Sequence, residues 1–72
     1  MNNLDRLNKE NILSMLDKCY DERRVRVDLN EFYQERLSNS SSKYIYNTFI
    51  KDNNISIKEL DIEIDYLNKE NN

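Results

Sequence analysis

The sequence predicts a mainly α fold, a small domain of three or four helices spanning residues 1–72 as one unit. Three observations carry that prediction. Apolar residues recur at helical spacing near the N-terminus, two capping boxes with hydrophobic staples follow, and a second apolar stripe runs through the last third of the chain.

The first element is the firmest. Ile12, Met15, Leu16, Cys19 and Tyr20 stand at i, i+3, i+4, i+7 and i+8, and Leu4 extends the stripe backward. Arg6, Lys9, Glu10, Asp17 and Lys18 fill the polar positions between them, so a helix is expected over about residues 3–21. The hexad Val27-Asp28-Leu29-Asn30-Glu31-Phe32 then reads as a helix start near residue 29. Asp28 can cap, Glu31 can return the bond, and Val27 can staple onto Phe32. Leu29, Phe32, Tyr33 and Leu37 supply the apolar face of a short helix.

Ser38-Asn39-Ser40-Ser41-Ser42 is a polar loop. Residues 42–52 are read as a helix, with Tyr46 beside Ile50, Ile45 beside Phe49, and Asn53-Asn54 able to end it. The hexad pattern returns as Ile55-Ser56-Ile57-Lys58-Glu59-Leu60 and sets a further start near residue 57. On this last helix Ile57, Leu60, Ile64 and Leu67 form one stripe, while Ile62 and Tyr66 lie almost opposite. A helix with two apolar faces needs two partners.

Two stretches alternate with period two and support a competing reading. Val25-Arg26-Val27 leaves room for a short strand near residues 24–27, and Leu60–Tyr66 alternates apolar with acidic residues. The alternative fold is therefore α+β, with residues 24–29 paired to 60–66. It would set Asp61, Glu63 and Asp65 in a row about 6.6 Å apart.

Composition excludes several classes of function. Gly and His are absent and Cys occurs once, which removes phosphate-cradling glycine loops, zinc sites built on His or Cys, and imidazole-based triads. The helically spaced carboxylate pairs Glu31/Glu35 and Asp61/Asp65 are ordinary surface composition. No catalytic residue, metal or cofactor is expected, and the chain is read as non-enzymatic. Cys19 falls on the first apolar stripe and is expected to be a buried thiol. No apolar run is long enough for a signal peptide or a membrane span, so a cytoplasmic location is expected. Asn, Lys, Ile and Tyr make up 30 residues whereas Gly, Ala and Pro make none, a bias towards AT-rich codons that suits a phage or mobile element of a low-GC host.

Charge then directs the functional expectation. The chain carries 35% charged residues at a net charge of −3, and its mean hydropathy is −0.98. A core this thin commonly gains stability from another surface, so a homodimer or an obligate partner is expected. Glu59, Asp61, Ile62, Glu63, Asp65 and Tyr66 combine carboxylates with apolar groups and are the expected partner-binding residues. A row of carboxylates can imitate a nucleic-acid backbone. The expected function is an inhibitor that blocks the nucleic-acid site of a host DNA-handling protein, such as a replication clamp, glycosylase, polymerase or nuclease.

Arg23, Arg24 and Arg26 suggest the alternative, a small helix-turn-helix regulator or antitoxin-like protein that binds DNA. The same arginines can instead pair internally with the acidic residues. Residues 43–67, with Asn53-Asn54-Ile55 as a turn, resemble a helix-turn-helix only loosely. Their second helix is acidic where a DNA reader needs Arg, Lys, Asn or Gln, so direct nucleic-acid binding is not the favoured expectation.

Overall fold

A computed structural model describes residues 2–71, with side chains from Lys9 to Asn71. The fold is mainly α, as the stripes require, but it has two helices rather than three or four. Helix α1 spans Asn2–Asn39 and helix α2 spans Lys43–Asn71, and they run antiparallel as a hairpin. The molecule measures 60 × 14 × 13 Å across its Cα atoms. A 38-residue helix rises about 57 Å, so the long dimension is α1 itself. The radius of gyration is 16.8 Å, against about 11 Å for a compact domain of this length.

The two helices share a seam with a seven-residue repeat. On α1 the residues turned towards α2 are Ile12, Leu16, Cys19, Arg23, Arg26, Asn30, Tyr33 and Leu37. On α2 they are Tyr46, Ile50, Asn53, Ile57, Leu60, Ile64, Leu67 and Asn71. Both sets alternate steps of four and three, the spacing that keeps two helices in register along their whole length. The pair is an antiparallel helical hairpin with coiled-coil-like spacing along its seam. Leu16, Ile64 and Leu67 are its buried apolar core, and Ile12 and Cys19 pack against them; Cys19, expected to be buried, is only partly covered.

The heptad also explains where the expected boundaries fail. No break occurs near residue 21, 29, 53 or 57, because an interruption there would surrender seam contacts on both sides. A capping box contributes only about 1 kcal/mol, too little to open a turn against that loss. Asp28, Glu31 and Glu59 accordingly lie exposed on continuous helix. Ser56 does not cap: its hydroxyl donates back to the Asp52 carbonyl at 3.3 Å, a bond of helix interiors.

Nor is there a strand among the described residues, at 24–27 or elsewhere, and the 24–29/60–66 pairing does not form. Val25 and Val27 both project outward, at 56% and 36% exposure, while Arg26 between them faces α2. The alternation there records a polar residue in the seam.

The one break falls inside the expected polar loop, at residues 40–42. Side chains before it take up helix carbonyls: the Ser38 hydroxyl donates to Gln34 O and Asn39 Nδ2 to Glu35 O. Ser42 N–H donates to Ser40 Oγ at 2.9 Å, and the Ser42 carbonyl accepts from Tyr46 N–H as α2 begins. Serine and asparagine compete for backbone bonds in this way, so a run of them ends a helix without glycine. Beyond the turn an aromatic cluster closes that end: the Tyr33 ring lies 5.3 Å from Phe49 and 6.4 Å from Tyr46. Among the described residues no helix is long and apolar enough to cross a membrane.

Candidate protein-binding surface

The middle of the seam is polar and fully connected. Asn53 is 3% exposed. Its Nδ2 donates to the Arg26 carbonyl and to Asn30 Oδ1, the latter at 2.9 Å, while its Oδ1 accepts from Arg26 Nη1 at 3.3 Å. Asn30 Nδ2 in turn donates to Asn54 Oδ1 at 2.7 Å. A buried amide left without partners costs on the order of 1–3 kcal/mol, so this network is favourable only in the register that completes it. Sequence reasoning placed Asn53 at a helix end. The signal that finds it is the four-three spacing on either side, with Ile50 before and Ile57 after.

Of the three arginines of the regulator reading, Arg23 and Arg26 bond across to α2 and Arg24 stays largely exposed. Arg23 Nε meets Asp61 Oδ1 at 2.6 Å, Arg26 reaches Glu22 as well as Asn53, and Arg24 lies 4.0 Å from Asp21. Arg23 and Arg26 also belong to the seam, although their side chains remain 42% and 37% exposed. The helix-turn-helix is absent, because residues 43–71 are one continuous helix. Among the described residues the acidic segment pairs with these arginines through Arg23 and Asp61.

The expected acidic row is divided. On a helix Asp61 and Asp65 fall on one flank of α2, Glu59 and Glu63 on the other, and Ile62 lies between them on the back. Asp61 is taken by Arg23. Glu59, Glu63 and Asp65 are exposed and take no hydrogen bond or ion pair among the described residues. Ile62 is 64% exposed and Tyr66 58%, whereas Ile64 and Leu67 on the seam are 7% and 3% exposed. The two-faced helix read from the sequence is therefore present. The six expected partner-binding residues do not form one row: five surround the back of α2, and the sixth, Asp61, closes the hairpin.

Other chemistry is sparse. No group of three or more His, Cys, Asp or Glu side chains is arranged to hold a metal among the described residues. Two open grooves are lined by described residues. One is lined by Lys18, Asp21, Glu22, Val25, Arg26 and Leu29 along the outside of α1, and another by Tyr44, Asn47, Thr48, Lys51 and Asp52. No family model, curated protein or solved structure matches the chain.

Proposed function

We propose that the hairpin is a non-enzymatic protein-binding module that engages its partner through the back of α2. The observation that carries this reading is the exposure of Ile62 and Tyr66 between carboxylates that the hairpin itself leaves unengaged. Two large apolar groups in water are a cost that a docked partner removes, and tyrosine is favoured at binding hot spots. A matching surface has an apolar floor and a basic rim.

Such a rim is what nucleic-acid-handling proteins present, which supports the finer reading of an inhibitor that occupies their binding groove. Residues Asp52 to Glu70 hold six carboxylates and two lysines, a local charge of −4 against −3 for the whole chain. Glu59 and Glu63 stand one helical turn apart, with Cβ atoms about 6 Å from each other. A host clamp, glycosylase, polymerase or nuclease remains the target class, and a phage or mobile element the proposed source.

The test is capture of partners from a nuclease-treated lysate of a low-GC bacterium, with elution at rising salt and with competing duplex DNA. The proposed outcome is one DNA-handling protein, displaced by DNA, retained by Asp61→Asn and lost by Glu59→Gln/Glu63→Gln/Asp65→Asn. Loss of the partner on Ile62→Ser/Tyr66→Ser without any DNA competition would keep the binding module and remove the nucleic-acid-site reading. A partner indifferent to both sets of changes removes the α2 surface altogether.

A further inference from the structure

We infer that α1 carries a second, self-complementary seam and that its occupant is a second copy of this chain, docked antiparallel about Leu29. The accessible surface of the hairpin is 6034 Å². A compact monomer of 8.8 kDa is expected to expose about 4,800 Å². The excess of about 1,200 Å² exceeds the roughly 800 Å² that each partner contributes to a stable interface. A rod whose buried apolar core among the described residues is Leu16, Ile64 and Leu67 has surface to spare and stability to gain.

The spacing on α1 identifies the face. Glu22, Val25, Leu29, Phe32 and Arg36 alternate steps of three and four, a second heptad seam displaced round the helix from the one that meets α2. Val25 is 56% and Phe32 46% exposed, Leu29 is half-buried, and Glu22, Val25 and Leu29 line the open groove along the outside of α1. Seven residues before Leu29 is Glu22, and seven after it is Arg36. A two-fold axis through Leu29 therefore sets Leu29 against its own copy and brings Glu22 of each chain to Arg36 of the other. Val25, four residues before the axis, falls beside Phe32, three residues after it in the second copy.

Apolar groups thus meet at the centre and opposite charges at both ends, as an isologous interface requires. A parallel pairing in register would instead place Glu22 on Glu22 and Arg36 on Arg36. Within one hairpin Arg36 lies over the Phe32 ring at 5.1 Å and Glu22 reaches Arg26 at 3.3 Å, so both side chains already sit at the edges of this face. The contact uses α1 and does not depend on the partner proposed for the back of α2.

Sedimentation equilibrium over a concentration series decides the matter. The expected species has twice the mass of the 8.8 kDa chain. Leu29→Lys sets two like charges on the axis and should give a monomer whose far-ultraviolet circular dichroism remains helical. Glu22→Arg and Arg36→Glu should each weaken association about tenfold, and the double change should recover most of that loss. Recovery is diagnostic because the double change rebuilds the contact between chains and not the Glu22–Arg26 pair within one. A natural chain that stays monomeric at concentrations on the order of 100 µM overturns the inference. So does a dimer that survives Leu29→Lys, or a double charge reversal that restores nothing.

Discussion

The open end of the hairpin and its middle are joined by different chemistry along one continuous seam. Towards the free ends Leu16, Ile64 and Leu67 are buried, with Ile12 and Cys19 against them. Halfway along, the same heptad positions carry Arg23, Arg26 and Asn30 on α1 and Asn53 on α2. Apolar contact at the open end is non-directional, and a one-heptad slide of α2 in one direction would replace Ile64 and Leu67 by Ile57 and Leu60. The polar middle does not tolerate it, because a slip leaves the Asn53 amide buried without acceptors. The comparison teaches a division of labour: the open end supplies the cohesion and the middle fixes the register. Polar residues at seam positions are best attested in that second role.

The comparison can be broken most severely at the open end. Leu67→Ala is expected to cost about 2–5 kcal/mol, a large part of what a domain this small has, and loss of helical circular dichroism at ambient temperature is the readout. In the middle, Asn53→Ala should cost about 1–3 kcal/mol, seen as a lower thermal midpoint with the helix content of the folded state retained. Asn53→Leu sharpens the argument. It should raise the midpoint or leave it level while amide resonances multiply, showing that stability and register have been separated.

Smaller effects are expected at the surface. Arg23→Ala removes a pair whose side chains are 42% and 51% exposed, so the loss should stay below about 1 kcal/mol and shrink as salt is added. Ile62→Ser/Tyr66→Ser should leave the midpoint almost unchanged, since neither side chain reaches the seam. A clear fall on that double change would mean that the back of α2 serves the hairpin rather than a partner.

Much of α2 could be read from the sequence. Ile57, Leu60, Ile64 and Leu67 face inward and Ile62 and Tyr66 outward because a rigid 3.6-residue period fixes those directions once helix is chosen. The serine-rich break was legible for a similarly local reason, the competition of short polar side chains for backbone bonds. On α1 the expected stripe is met only in part: Ile12, Leu16 and Cys19 pack in the seam, whereas Met15 and Tyr20 are 45% and 51% exposed. Beyond Cys19 the inward positions are arginine, arginine and asparagine, while Val25 and Val27 face water, so a search for apolar spacing loses the helix at that point. The capping boxes misled because their geometry is compatible with a helix start and equally with an exposed turn of helix interior.

Short-range spacing and local hydrogen-bond competition were enough to set the helical class, the serine-rich break and the two faces of α2. Tertiary structure alone decided that four expected segments become two helices, that arginines occupy an interior seam, and that Asp61 leaves the acidic surface to bind Arg23. A buried polar residue is tolerable only when its partner is already in place across the hairpin. For buried Asn53 that partner, Arg26, lies 27 residues away, and the exposed Arg23–Asp61 pair spans 38. Local spacing carries no information about such a distance; it becomes legible only when both heptads are laid against each other.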